Sequence, residues 1–176
     1  MKISSENGLI SVIFEHVPYE ADYPWIYGSI QFCFNGICVP NGRVDNHTLP
    51  VVFLHLVRSF DDPYYWNGLD EDGAPLYTRK QVDLGDMVVE LRHLDYGDIQ
   101  NILELGLADM EQSMDVDGNR EVLRMWLGYN GKFERLFYST DDVKTIHEAV
   151  FPRGTVESLA RRLPIQRSDF EKLGMV

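Results

Sequence analysis

Two Asn-Gly dipeptides, each placed between short segments of strand-like sequence, constrain the fold more than any other feature of this chain. Asn-Gly is the strongest short-range signal for a β-hairpin, because both residues tolerate the positive φ that a two-residue turn requires. Asn35-Gly36 follows residues 27–34, which alternate between apolar and polar side chains. Asn130-Gly131 joins residues 120–129 to residues 132–139. The sequence therefore predicts an antiparallel β-sheet built from hairpins.

The first hairpin places the two cysteines of the chain opposite each other. If Asn35-Gly36 is the two-residue turn, Cys33 and Cys38 form the next non-hydrogen-bonded pair, with Cα atoms about 4.5 Å apart. That distance permits a disulfide, but a reducing cytoplasm keeps cysteines as thiols. We therefore expect Cys33 and Cys38 to face each other as reduced, structural thiols.

Four further segments carry strand patterns. Residues 8–17 and 37–39 are rich in Ile, Val and Phe, and residues 87–94 alternate between two faces. Residues 102–114 suit either a strand or a helix over short windows. A strand is favoured for them, because the hairpin that follows offers a partner.

Helical signals lie before the acidic segment and at the end of the chain. Residues 48–60 begin with a threonine N-cap, end before an Asp-Pro pair and are apolar on nearly every side, which predicts a long buried helix. Residues 139–150 and 155–163 are predicted as further helices, and a capping box over residues 168–171 predicts a last helical turn. Together with the hairpins, these signals predict a single α+β domain over residues 1–176, with the helices packed on the sheet.

Nearly all of the negative charge lies in one continuous third of the chain. Residues 61–117 carry fifteen acidic and three basic side chains, a balance of −12 that equals the net charge of the whole protein. Residues 1–60 contribute −2 and residues 118–176 contribute +2. Such a segment attracts basic partners and steers their approach.

The signatures of cofactor and metal binding are missing from the sequence. It has no glycine-rich phosphate loop, dinucleotide fingerprint or His-Glu-x-x-His motif. Residues 115–126 begin like a calcium loop but lack its sixth-position glycine and its closing glutamate. We therefore predict no cofactor, no metal and no enzymatic activity. Paired carboxylates are abundant enough that a hydrolase or carbohydrate-acting enzyme stays open as an alternative.

The composition also bears on the surroundings of the protein. Its acidity argues against nucleic acid as a partner, because phosphate contacts need clustered Lys and Arg. The basic cluster Arg161, Arg162 and Arg167 is read as a helix C-terminus. The first seven residues lack the apolar run of a signal peptide, and no stretch approaches the length of a membrane span. We expect a cytoplasmic protein that does not contact a membrane.

The acidic segment opens with a loop that combines aromatic and acidic side chains. Aromatic residues are common anchors of protein interfaces, and acidic neighbours complement a basic partner. An equally weighted interpretation of this loop is that its aromatic side chains fold back onto the core. The predicted partner-binding residues are Asp61, Asp62, Tyr64, Tyr65, Trp66, Asp70, Glu71 and Asp72.

Two stretches of the chain carry distinctive strand and turn residues. The first runs from Trp25 through Gly28 to Asn35-Gly36, a strand with Trp-x-x-Gly at its start and Asn-Gly at its end. The second is Leu136-Phe-Tyr-Ser139 followed by Phe151-Pro-Arg-Gly-Thr-Val-Glu157 and a helix that ends at Leu163-Pro164. Both stretches resemble a family of immunity proteins from bacterial polymorphic-toxin systems. The resemblance covers about half of the chain and does not extend to the acidic segment.

The resemblance implies a protein that binds and neutralises a cognate toxin domain and is not itself an enzyme. Many toxins of such systems are basic nucleases, which an acidic surface would complement. Two readings from other classes stay open at this point: the carboxylate enzyme above, and a small-molecule-binding protein of unknown role. A deep pocket with two carboxylates about 5–10 Å apart would favour the enzyme.

Overall fold

A computed structural model of the chain describes residues 1–18, 25–40, 47–61, 100–107, 123–130, 133–141 and 144–176. The predicted strand over residues 87–94 lies outside these described residues, as does most of the predicted acidic loop. Within the described part, nine strands form two antiparallel sheets and three helices pack beside them. The predicted α+β class is confirmed.

The first sheet contains five short strands from the N-terminal part of the chain. Its hydrogen-bonded order is β1-β2-β3-β4, and β5 pairs with the other end of β3. The side chains of Ile30, Phe32 and Phe34 point from β3 into the core and are almost fully buried, as their alternation in sequence requires. The strands are β1 (Lys2–Ser4), β2 (Ile10–His16), β3 (Tyr27–Phe34), β4 (Ile37–Val39) and β5 (His47–Thr48).

The hairpin between β3 and β4 has the predicted register. Asn35 and Gly36 both adopt positive φ, at 50° and 89°, and Cys33 lies directly opposite Cys38. The prediction that these cysteines are reduced is wrong in this structure, where a disulfide joins them and their Cα atoms are 3.9 Å apart. The cross-strand position explains the bond, since it brings the two sulfur atoms together without further movement of the chain.

The first helix, α1 (Leu49–Asp61), matches the prediction to within one residue at each end. Phe53 and Leu56 are among its buried residues. Ser59 ties the helix to the second sheet, because its hydroxyl accepts a hydrogen bond from the Gly106 N–H (2.7 Å) while donating to the His55 carbonyl (3.0 Å).

The second sheet contains four strands in the order β6-β7-β8-β9. The predicted pairing of the two strands of the second hairpin is confirmed, but its turn is not at Asn130-Gly131. Asn130 lies directly opposite Phe133 and is the last paired residue of β7, not a turn residue. The strand predicted from residues 102–114 corresponds in part to β6, whose partner is β7 as expected. The strands are β6 (Gln100–Leu105), β7 (Arg124–Asn130), β8 (Phe133–Ser139) and β9 (His147–Pro152).

Strand β9 corrects the sequence prediction of a helix over residues 139–150. Ala149 and Phe151 are buried, while the residues that flank them are exposed, so the segment has the two-residue period of a strand. The side chain of Asp141 accepts hydrogen bonds from the Ser139 hydroxyl (2.9 Å) and from the Thr145 N–H (2.9 Å). Ser139, one of the residues that suggested a helix start, therefore takes part in a local side-chain turn instead.

Two short helices end the chain, α2 (Thr155–Ala160) and α3 (Arg167–Lys172). Both begin with a different cap from the one predicted. Gly154 precedes α2 with a φ of 87°, and α3 has a capping box formed by Gln166 and Asp169 rather than by Ser168 and Glu171. The capping box begins two residues earlier because Asp169, at the third helical position, can reach the Gln166 N–H.

Side chains from both sheets and from all three described helices belong to one buried apolar cluster. Phe14 of β2 meets Phe53 of α1 with ring centroids 5.1 Å apart, and Phe170 of α3 packs against both rings. Phe34 of the first sheet contacts Tyr138 of the second, with ring centroids 4.8 Å apart. These contacts fix the C-terminal helices against α1 and the first sheet, where they form one wall of the groove described next.

Candidate partner-binding groove

An open groove of about 640 Å³ lies between β1, the last turns of α1 and the C-terminal segment. Its size is that of a site for a small molecule or a few side chains of a partner. Its apolar lining comes from elements that are distant in sequence but share the core, so the groove is a consequence of their packing. The lining residues are Ile3, Val57, Arg161, Arg162, Leu163, Pro164, Ile165, Asp169, Lys172 and Leu173.

The position of α2 beside the groove is fixed by a buried carboxylate on the second sheet. Glu134 of β8 has no exposed surface, and its two carboxylate oxygens accept hydrogen bonds from the N–H groups of Gly154 and Val156, both at 2.7 Å. Burial raises the pKa of Glu134, while these N–H groups and that of Thr155 act in the opposite direction. The side chain thus anchors the start of α2 to β8.

Arg161 follows the last residue of α2 and lies between two carboxylates. Its Nη2 is 2.7 Å from Asp61 Oδ1 and 2.7 Å from Glu157 Oε1, and its Nε donates to the same Glu157 oxygen at 2.9 Å. The hydrogen bond from Arg161 lowers the pKa of Asp61, and the two carboxylates raise the pKa of Arg161. Asp61 and Arg161 are therefore both ionised at neutral pH, and the two neighbouring carboxylates compensate the positive charge of Arg161.

The other two cations of the groove are held differently. Lys172 lies 3.3 Å from Asp169, whose pKa is lowered chiefly by the Gln166 N–H that it caps. Arg162 donates to the main-chain oxygen of Ser4 at 2.7 Å and, among the described residues, meets no carboxylate in an ion pair. Arg162 therefore carries the least compensated charge of the groove.

The chemistry of the groove suits binding rather than catalysis. It combines an apolar floor with guanidinium and ammonium groups at its rim, and Asp169 is the single carboxylate in its lining. Among the residues that the structure describes, no group of three or more His, Cys, Asp and Glu side chains could hold a metal ion. An apolar surface with a few placed charges is typical of a site that receives a protein segment or an amphipathic ligand.

One of the eight sequence-predicted binding residues is described, and it lies next to this groove. Asp61 is the last residue of α1, is exposed, and bonds to the groove residue Arg161. Asp61 is thus partly neutralised rather than a bare acidic contact. The other seven lie outside the described residues: Asp62, Tyr64, Tyr65, Trp66, Asp70, Glu71 and Asp72.

Sequence reasoning missed the groove itself. The reading of Arg161 as a helix C-terminus agrees with its place as the C-cap of α2, but the same reading removed Arg162 from consideration as a binding residue. The available signal was a pair of basic residues followed directly by three apolar residues over 161–165. Ile3 and Val57 could not be joined to that segment without the fold.

Two residues of the Trp-x-x-Gly motif have different environments. A Cβ on Gly28 would lie 2.0 Å from the Glu15 carbonyl oxygen, so the pairing of β2 with β3 requires glycine there. Trp25 is 54% exposed, so its size is not explained by core packing.

Exposed apolar side chains also lie on the outer face of the second sheet. Phe133 of β8 is 54% exposed and Val150 of β9 is 48% exposed.

None of the described helices is long and apolar enough to cross a membrane.

The fold has a counterpart among solved structures. The crystal structure of CdiI from Burkholderia dolosa AUO158 matches 92% of this chain and 96% of its own, with a TM-score of 0.51 and 14% sequence identity. At that identity the match shows a shared fold. No curated protein matches the sequence significantly.

The sequence itself places the chain among bacterial immunity proteins, which bind and neutralise a cognate toxin. Residues 9–166 match the family model described as Immunity protein 42. The match covers nearly the whole chain, including the acidic segment, and the protein belongs to the Immunity protein 42 family.

Proposed function

We propose that this protein neutralises its toxin by stoichiometric binding to the toxin domain and catalyses no reaction. The observation that carries the proposal is family membership over residues 9–166. The groove agrees with it, because an apolar floor beside charged side chains suits a protein partner. The carboxylate enzyme has no observation in its favour among the described residues.

We place the main contact on the acidic segment, with residues 61–72 as its leading patch. The support is the charge distribution. The residues outside 61–117, here called the neutral frame, carry thirteen acidic and thirteen basic side chains, so residues 61–117 hold the whole −12. A basic toxin domain would be attracted to that part of the chain rather than to the neutral frame.

We place the complex in the cytoplasm, where a toxin that acts inside a cell would meet it. The Cys33–Cys38 bond would be subject to thiol reductants there, since that compartment keeps most cysteines reduced. Binding through residues 61–72 does not depend on the state of that bond, because the hairpin is already closed by its turn and its strand pairing.

The proposal is tested with the cognate toxin domain, which is sought first in the neighbouring upstream gene. Co-expression of the parent protein is expected to protect cells from that domain, and the purified proteins are expected to form a 1:1 complex. Trp66→Ala should weaken binding by about 2 kcal/mol, the typical cost of losing an aromatic anchor. The measurement is titration calorimetry, after thermal unfolding has shown that the variant is folded.

Trp25→Ala is the matched control, because Trp25 is an exposed tryptophan of the neutral frame. Equal affinities for the parent and the folded Trp66→Ala variant would place the contact away from residues 61–72. A parent protein that neither protects cells nor binds the domain would contradict the proposed function itself.

A further inference from the structure

We propose that the groove between β1, α1 and the C-terminal segment receives an acidic segment of the toxin. The segment would place an apolar side chain on the groove floor and a carboxylate against Arg162. This inference rests on the proposed function. It adds to the acidic contact a second contact, in which this protein supplies the positive charge and the toxin the negative charge.

The apolar part of the inference comes from the floor of the groove. Leu173 is 37% exposed at its edge, and Leu163 lies buried below with 5% of its surface exposed. An open volume of about 640 Å³ accommodates more than one side chain. Covering this apolar surface with a partner side chain is favourable at about 25 cal/mol for each Å² removed from water.

The acidic part of the inference comes from the differences among the three groove cations. Arg161 is neutralised by Asp61 and Glu157, and Lys172 lies beside Asp169. Arg162 is exposed, and its bond to the Ser4 carbonyl uses one of its five N–H groups without offsetting its charge. A carboxylate that reached Arg162 could form the bidentate pair that guanidinium groups favour.

The groove is also rigid before the partner arrives. Arg162 lies next to Arg161, the C-cap of α2, and Glu134 fixes the start of that helix. The Asp61–Arg161 pair joins the end of α1 to the end of α2. Because these elements are already ordered, binding loses little conformational entropy. Asp61 is also the first residue of the proposed acidic patch, so that patch begins at a residue bonded to Arg161 of the groove.

The test compares charge reversals at two arginines of the C-terminal segment. Arg162→Glu reverses the groove charge, and Arg167→Glu makes the same change in net charge at an exposed residue that pairs with Glu171 and lies outside the groove lining. Surface plasmon resonance with the cognate toxin domain should show at least tenfold weaker binding for Arg162→Glu, mainly through faster dissociation. Arg167→Glu should stay within about threefold of the parent.

A second pair of variants tests the apolar floor. Leu173→Asp places a carboxylate at the groove edge, and Val150→Asp makes a comparable change at an exposed apolar residue of the second sheet. Leu173→Asp is expected to weaken binding at least tenfold, and Val150→Asp to leave it unchanged. Thermal unfolding confirms that each variant is folded.

Three outcomes overturn the inference. If both groove variants bind like their controls while the parent binds tightly, the groove is not part of the interface and the proposed function stands. If Arg162→Glu binds more tightly than the parent, the segment that enters the groove is basic. If the parent does not bind the toxin domain, the groove inference and the proposed function both fail.

Discussion

Gly28 shows how one residue of a sequence motif is explained by a single contact. It lies on β3 opposite His16 of β2 and His47 of β5, at a point where three strands meet. An added Cβ would lie 2.0 Å from the Glu15 carbonyl oxygen and 2.9 Å from a methyl group of Leu49. The backbone oxygen cannot move aside without breaking the strand pairing, so the position admits no side chain.

Gly28→Ala should therefore destabilise the protein by about 3 kcal/mol or prevent folding, a cost at the upper end of those for overpacked sites. Urea denaturation followed by tryptophan fluorescence measures the change. Gly8→Ala is the control, because a Cβ there meets nothing within 4 Å and the cost comes from a φ of 71° alone, about 1 kcal/mol. Equal losses for the two variants would show that the close approach at Gly28 relaxes easily.

Trp25, the other named residue of the motif, is not constrained by packing. Gly28 is required by the backbone, whereas Trp25 is more than half exposed three residues earlier. The sequence alone could not show that Gly28 is required by strand pairing while Trp25 is exposed, because a motif gives the identities of residues and not their contacts. The structure assigns Gly28 to strand pairing and leaves the size of Trp25 without a packing reason.

At the scale of secondary structure, prediction succeeded where the signal was local. The β3–β4 hairpin follows from its Asn35-Gly36 turn, and α1 follows from an N-cap and an apolar surface over residues 48–60. The pairing of β7 with β8 was also predicted, but Asn130 lies in the strand and not in the turn. Strand β9 was mistaken for a helix, because Ser139 and Asp142 resemble a helix start while its pairing with β8 is set by tertiary contact. The groove as a whole could not be predicted from local signals, since Ile3, Val57 and Leu173 meet only in the fold.

The link between β8 and α2 is the element-scale feature that carries a pH prediction. Glu134→Ala leaves the buried N–H groups of Gly154 and Val156 without their acceptor, which should cost about 3 kcal/mol. Because burial raises the pKa of Glu134 above its ordinary value of 4.5, the folded state binds this proton more tightly than the unfolded state. The contribution of the group is fully present below about pH 4.5 and is lost as pH rises through the folded pKa.

The stability of the parent relative to Glu134→Gln should therefore fall as pH rises above about 4.5. Glu134→Gln is the suitable reference, because it keeps the shape of the side chain and removes its titration. Urea denaturation at several pH values measures the difference in the free energy of unfolding. A difference that grows with pH would show that the N–H groups of Gly154, Thr155 and Val156 outweigh burial and lower the pKa.

At the scale of the whole molecule, the net charge is concentrated in one segment. Residues 61–117 carry the whole −12, and the neutral frame outside them balances its acidic and basic side chains. Family membership by itself names neither the toxin nor its contacts, which depend on individual side chains.

Because the net charge lies in residues 61–117, we expect the positions of the acidic residues, and not only the net charge of the protein, to govern the rate of association with a basic toxin. Replacing Asp70, Glu71 and Asp72 by Ser should slow association and weaken its dependence on salt, with a smaller effect on dissociation. Replacing the exposed frame residues Glu6, Glu15 and Glu171 by Ser changes the net charge equally. Because charges are screened over about 8 Å at physiological salt, the frame variant should associate nearly as fast as the parent. Stopped-flow measurements from 20 to ~500 mM salt compare the two, and equal slowing would show that the toxin responds to net charge and not to the acidic segment.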